Sequence, residues 1–318
     1  MEVLEGKIKM VELNLFDAAF IMSLLAAMLR LSVPIVFTGI GEVIAERAGV
    51  VNIGIEGVML LGAFSATYVA YFTGDAWLGV LFAIVIGILS GYIHGVIAIN
   101  FKGDQIVSGV GMNMFAYGFT AAWLIIIWGE LAAGNSPDVP RIPQIPLPLP
   151  GAFSSISPFI FLMVLTAVAS YYVLHKTKFG LRLRSIGENP AAADVAGINV
   201  YRVQYIATII GAVLAAVGGA YLAVDWNSMF VRYMTAGRGF IALATVVFSN
   251  WNPLLVLVGG LLFGFADGLQ MRLAPALGVG YPPQFFQMIP YVLTLIVVAG
   301  AVGRAKPPAA VGKPYEKE

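Results

Sequence analysis

Apolar runs of about twenty residues recur along this chain and are parted by short polar breaks, and no other feature restricts its fold so strongly. A helix crossing a bilayer needs about 20 mostly apolar residues, because backbone groups in hydrocarbon must find partners within the segment. Runs of that kind are read at Asp17 to about Ile40, Ile53–Thr73, Trp77–Asn100, Gln105 to about Trp128, Pro158–Leu174 and Val203–Val224. Beyond Asp225 the pattern becomes irregular: 232–250 reads as a short or broken span. Leu254–Leu269 and Phe286–Ala301 complete about nine crossings (eight to ten). Only 11% of the 318 residues are charged and mean hydropathy is +0.88, against about 25% charged in a soluble domain. The fold class is therefore all-α, a polytopic transmembrane helical bundle.

Two loops depart from this pattern. Residues 129–157 hold six of the seventeen prolines by residue 150 and read as an extended loop. Residues 175–202 form the longest polar interruption, with Lys176, Lys178, Arg182, Arg184 and Arg202. Within it Asn189 suits a helix N-cap, Pro190 the first helical position, Ala191–Ala193 the body and Gly197 the left-handed stop. A short, firmly ended helix suits a surface on which another protein pushes. Lys and Arg counts near the span ends put this loop, Arg47, Lys102 and the tail on the cytoplasmic side. The N-terminus is then outside and the C-terminus inside. The expected organisation is an N-terminal surface segment (1–16), a transmembrane domain (17–303) and a cytoplasmic tail (304–318), the tail being read as poorly ordered.

Helix packing is written in glycine. Gly87, Gly91 and Gly95 form one row at spacing four and Gly260, Gly264 and Gly268 another, each allowing close approach of a second helix. Residues 41–64 and 239–265 echo each other loosely, as a worn internal repeat would. Ionisable or polar groups inside spans are candidates for a solute pathway: Glu56, Asn113, Asp225 and Asp267, with Arg30 and His94 beside them. Their plain readings are structural. Glu42, Glu46 and Arg47 read as a solvated turn with an internal ion pair. Glu56 reads as a first-turn acid favoured by the helix dipole, Asn113 as a bond to a neighbouring helix, and Asp267 as a partner of Arg272 or Arg238.

Catalytic chemistry is not indicated. Cysteine is absent and only two histidines are present, which removes thiolate sites and makes a histidine-built metal site improbable. No phosphate loop, HExxH helix or GxSxG elbow occurs. A net charge of +1 gives no field for nucleic acid. No cofactor is expected on this chain.

Four stretches carry a family resemblance: GEVIAERAGVVNIGIEGVMLLGAF (41–64), DQIVSGVGMN (104–113), FGLRLRSIGENPAAADVAGINV (179–200) and GRGFIALATVVFSNWNP (237–253). Together they resemble the membrane permeases of ABC importers for ribose, simple sugars, nucleosides and branched-chain amino acids, and most resemble the sugar/nucleoside branch. The resemblance spans roughly residues 34–304. It implies a non-catalytic, multi-pass subunit in the cell membrane, with ATP bound by separate cytoplasmic ATPase subunits. It also implies a second permease chain, sister or identical, and an external solute-binding protein, typically a lipoprotein. The family's coupling helix falls on Gly187, Glu188, Asn189, Pro190, Ala191, Ala192, Ala193 and Gly197. The rival reading is a secondary transporter using Asp225, Asp267 or Glu56 as an ion relay; an intramembrane enzyme is the remote third.

Overall fold

The computed structural model describes residues 18–130, 133–149, 151–276, 286, 288–301 and 305–317. The expected N-terminal surface segment lies outside the described residues. Helices dominate: α1 (Ala18–Arg47), α2 (Ile55–Thr73), α3 (Ala76–Gly95), α4 (Gln105–Trp128), α5 (Pro158–Lys176), α6 (Lys178–Glu188), α7 (Pro190–Val195), α8 (Val200–Tyr221), α9 (Arg238–Phe248), α10 (Pro253–Ala276) and α11 (Ile289–Ala301). Among the described residues, seven helices are long and apolar enough to cross a membrane. Short π-helical stretches extend α3 through Asn100 and α8 through Asn227. With eleven residues, α9 rises only about 16 Å, half of a hydrocarbon core of about 30 Å. It is the broken segment expected from the sequence.

Local chemistry sets many of the helix starts. Asp75 accepts from the Trp77 and Leu78 amides and Asp104 from those of Ile106 and Val107. Ser157 caps α5 and Asn199 caps α8. Each cap satisfies amides that the first helical turn leaves without partners.

The two glycine rows do what their spacing predicts. A Cβ on Gly87 or Gly91 would strike the backbone of α8 at Val213 or Ile209, and one on Gly264 would lie 2.5 Å from the Met28 oxygen of α1. The central helices α1, α2, α8 and α10 thus pack backbone against backbone. The apolar faces of α3, α4 and α5 stay exposed, as lipid contact requires; Leu81, Met114 and Leu165 lie on them.

Three expectations need correction. Residues 41–47 continue α1, since nothing in them breaks a helix. Glu42 and Glu46 are accordingly buried, not solvated. Glu42 accepts from the Asn52 amide, Glu46 accepts from the Trp251 indole, and Arg47 donates to the Trp251 and Asn250 carbonyls. Second, the basic stretch 175–202 holds two consecutive helices, α6 and α7, between the end of α5 and the start of α8. Third, residues 305–317 are pinned to the basic face of the bundle. There the Ala310 amide donates to the Gly187 carbonyl and the Gly312 amide to the Gly49 carbonyl.

The proline-rich loop 129–157 is mainly irregular, with one two-residue strand pair, β1 (Ile145–Pro146) against β2 (Ser155–Ile156). Its backbone runs along the far end of α8: the Ser136, Val139 and Ile142 amides donate to the Phe230, Ser228 and Val224 carbonyls.

Candidate functional site

Two helices begin deep inside the bundle, and both begin on glycine. The N-cap residues of α2 and α9 are Gly54 and Gly237, and neither has a side chain to accept from its helix. Neighbouring helices supply the missing acceptors. Asn113 of α4 accepts from the Gly57 amide at 2.7 Å and returns a bond to the Ile53 carbonyl at 3.0 Å. Glu56 of α2 accepts from the Gly237 and Gly239 amides at 2.8 and 2.7 Å. Glycine is needed for the approach, because a Cβ on Gly57 or Gly239 would come within 2.8 Å and 2.7 Å of backbone atoms of Asn113 and Glu56.

Depth follows from helix geometry. Asn113 lies eight residues into α4, about 12 Å from its start, and the start of α9 lies about 16 Å from its end. That end is tied to α1 through Arg47. Both measures put the junction well inside the bundle. Non-helical backbone is tolerated at such depth only against protein or a watered path. The Glu56 carboxylate is 1% exposed and held by two backbone amides at a helix start, where amide dipoles favour an anion.

A cavity of about 340 Å³ opens at this junction, lined by Glu56, Tyr117, Tyr233, Ala236 and Gly237. The Tyr117 and Tyr233 rings meet edge to face at 5.5 Å. Arg232 lies 4.9 Å from the Tyr233 ring centre and donates to its own neighbour's hydroxyl at 3.0 Å. Tyr233 and Ala236 have φ of 60° and 47°. For side chains of this kind the left-handed region costs of order 1–3 kcal/mol each, a strain that the surrounding structure must hold. A second cavity of about 200 Å³ shares Ala236 and is lined by Arg238, Asp267, Gln270 and Tyr291 among others.

The sequence candidates fall into distinct roles. Glu56 lines the cavity and Asn113 stands behind it. Asp267 lines the adjoining cavity and pairs with Arg238 at 3.5 Å, whereas Arg272 turns to Ser23. Asp225 lies elsewhere: it accepts from Gln144 at 2.6 Å and from Ser157, with Arg141 at 3.6 Å. Its carboxylate fastens the proline-rich loop to α8. His94 bridges Ser108 and the Val51 carbonyl, and Arg30 donates to the Ser155 carbonyl; both tie segments together. Tyr117 and Tyr233 were not legible as site residues, since a tyrosine in an apolar helix and one in a loop carry no mark of a shared cavity.

At the basic face α7 has the ends read from its sequence. Asn189 accepts from the Ala192 amide at 3.0 Å, Pro190 takes the first position, and Gly197 has φ of 81°. Glu188, Asn189, Ala191, Ala192 and Gly197 are exposed, Pro190 is half-buried, and Val195 is 91% exposed. Gly187 and Ala193 face inward; a Cβ on Gly187 would lie 2.2 Å from the Arg47 carbonyl oxygen. Those two positions anchor the helix, and the others form an open surface.

Residues 24–298 match the family described as the permease component of branched-chain amino acid transport systems. The chain is 39% identical to the guanosine ABC transporter permease NupQ of Bacillus subtilis, over 95% of this chain and 99% of the relative. It is 39% identical to the nucleoside ABC transporter permease NupC of Lactococcus lactis, over 92% and 96% of the two chains. It is 34% identical to the putative glucose ABC transporter permease TsgC13 of Haloferax volcanii, over 94% and 99%.

Proposed function

The chain belongs to the permease-component family of branched-chain amino acid transport systems, and we propose that it imports nucleosides or simple sugars as one subunit of an ATP-driven transporter. It is a multi-pass protein of the cell membrane and a non-catalytic transport component. ATP is bound by separate subunits of such transporters. The observation that carries the solute assignment is the 39% identity, over nearly the whole of both chains, to a permease named for guanosine.

In this reading the cavity at Glu56 is a station on the solute path and Asn113 holds its wall. Asp267, paired with Arg238, borders the same path. A second permease chain, sister or identical, completes the path. A solute-binding protein delivers solute at the face carrying the proline-rich loop. The exposed residues of α7 dock a cytoplasmic ATPase subunit, with Gly187 and Ala193 bracing the helix from within. Closure of the ATPase dimer on ATP displaces α7, and the bundle passes between outward-open and inward-open states. The shift is only as large as the difference in binding free energy between those states. The domain limits follow: permease body 17–303, coupling segment 175–202 and cytoplasmic tail 304–318.

The test is uptake into vesicles. The complete transporter with ATP at the ATPase side is expected to accumulate labelled guanosine, uridine or glucose. This chain alone is expected to accumulate none of them. Accumulation by the chain alone under a proton or sodium gradient would establish a secondary transporter instead.

A further inference from the structure

The tail that follows α11 is a strap across the face that α7 occupies. Its partners lie on five separate parts of the bundle. The Lys306 amide donates to the Asn250 side chain in the turn between α9 and α10, at 2.9 Å. The Ala310 amide reaches the Gly187 carbonyl at the α6–α7 junction at 2.8 Å, and the Gly312 amide reaches the Gly49 carbonyl in the α1–α2 turn at 3.1 Å. The Tyr315 hydroxyl donates to Asp194 of α7 at 3.1 Å, and Lys317 stands 3.3 Å from the same carboxylate. Glu316 pairs with Lys102, between α3 and α4, at 3.0 Å. Within the strap, Pro308, Ala310 and Tyr315 are buried.

α7 needs such a fixture. It has only six residues, and Ala193 is its one buried position. A helix so short has little stability of its own. Without tethers a displacement applied to its exposed side would be lost in its own rotation. The tethers lead where a displacement would matter. Asn250 lies in the turn that follows α9, whose other end is the glycine start that Glu56 holds at the cavity. Gly49 begins the segment that leads into α2, which carries Glu56.

We infer that residues 305–317 fasten the docking helix α7 to the turns bearing α2 and α9, with Tyr315 and Lys317 as positioning residues through Asp194. This rests on the docking role proposed for α7, and the experiment separates the two. In proteoliposomes containing the complete transporter, uptake and ATP hydrolysis are measured together with whichever of guanosine, uridine and glucose the unaltered complex accumulates. Co-purification of the ATPase reports docking; solute moved per ATP hydrolysed reports the strap. The Tyr315→Phe/Lys317→Met variant is expected to keep its ATPase and to lose about fivefold in solute per ATP, the factor that about 1 kcal/mol of tethering represents. Lys317→Arg with Tyr315 intact is expected to stay at the unaltered ratio. A variant missing residues 307–318 serves as the stronger perturbation. Since the chain has no cysteine, a spin label on Val195→Cys gives a second reading in the chain alone: the double substitution should increase its mobility. An unchanged ratio and unchanged label mobility would overturn the inference. Loss of the ATPase from the double variant would overturn it too, because the tail would then belong to the docking surface itself.

Discussion

Replacing Glu56 by glutamine tests the central junction with the smallest possible change in shape. The carboxylate accepts from two amides, Gly237 at 2.8 Å and Gly239 at 2.7 Å. Glutamine keeps one acceptor and turns an NH2 group toward the other amide, so donor faces donor. One charge-assisted bond becomes neutral, and one buried N–H loses its partner. A bond to a charged group contributes about 1.5–3 kcal/mol, and an unsatisfied buried donor costs about 1–3 kcal/mol. Because those two figures overlap for one lost bond, we expect about 2–3 kcal/mol for Glu56→Gln. Glu56→Ala, which strands both amides, should cost roughly 4 kcal/mol by the same reasoning. The assay is amide hydrogen exchange followed by mass spectrometry on a peptide covering 228–242. If the α9 start opens locally, exchange there should speed by about 30-fold in Glu56→Gln, the factor that 2 kcal/mol represents. Peptides from α10 should not change. Exchange within about threefold of the parent would refute the claim that Glu56 holds the α9 start.

Two further outcomes follow from packing and charge. Gly219→Ala sets a Cβ 1.8 Å from the Met59 carbonyl oxygen, so α2 and α8 must part, whereas Gly118 has open space around it. The first should cost about 1–3 kcal/mol or more and lower the thermal midpoint in detergent; Gly118→Ala should leave that midpoint unchanged or raise it. Arg238→Ala leaves Asp267 buried without its cation, an effect of about 3–5 kcal/mol. Adding Asp267→Asn should recover most of the lost midpoint, and failure to recover would show that Arg238 acts mainly through its bonds to the Met234 and Thr235 carbonyls.

Features written in nearby residues could be read before any coordinates. The cap, proline and glycine of α7 are local instructions, and each is used where it was read. The glycine rows of α3 and α10 are local as well, because spacing four fixes a helix face whatever the partner. The start of α9 could not be read this way. Its acceptor, Glu56, lies 181 positions earlier, and a glycine N-cap alone suggests a weak start. The extension of α1 through Glu42 and Glu46 was missed for a related reason. Two carboxylates suggest solvent until their partners at Asn52 and Trp251 are brought alongside by the turns that follow α1 and α9. The tail misled through composition: proline and lysine suggest disorder, but three of its anchors are the Lys306, Ala310 and Gly312 backbone amides, which composition does not record.

The way Glu56 is satisfied also bears on the solute. A carboxylate in a membrane interior is ordinarily matched by a cation. Here backbone amides do that work, and Arg238 in the adjoining cavity is already held by Asp267. Each carboxylate oxygen has more than one acceptor position, so Glu56 can take a further hydrogen bond from a solute without losing its amides. Tyr117 and Tyr233 add hydroxyls and ring faces to the same wall. A neutral ring carrying hydroxyls meets acceptors for its protons and aromatic faces for its plane. In the reading proposed for this cavity, its hydrogen-bond acceptors and aromatic rings suit a nucleoside or a sugar.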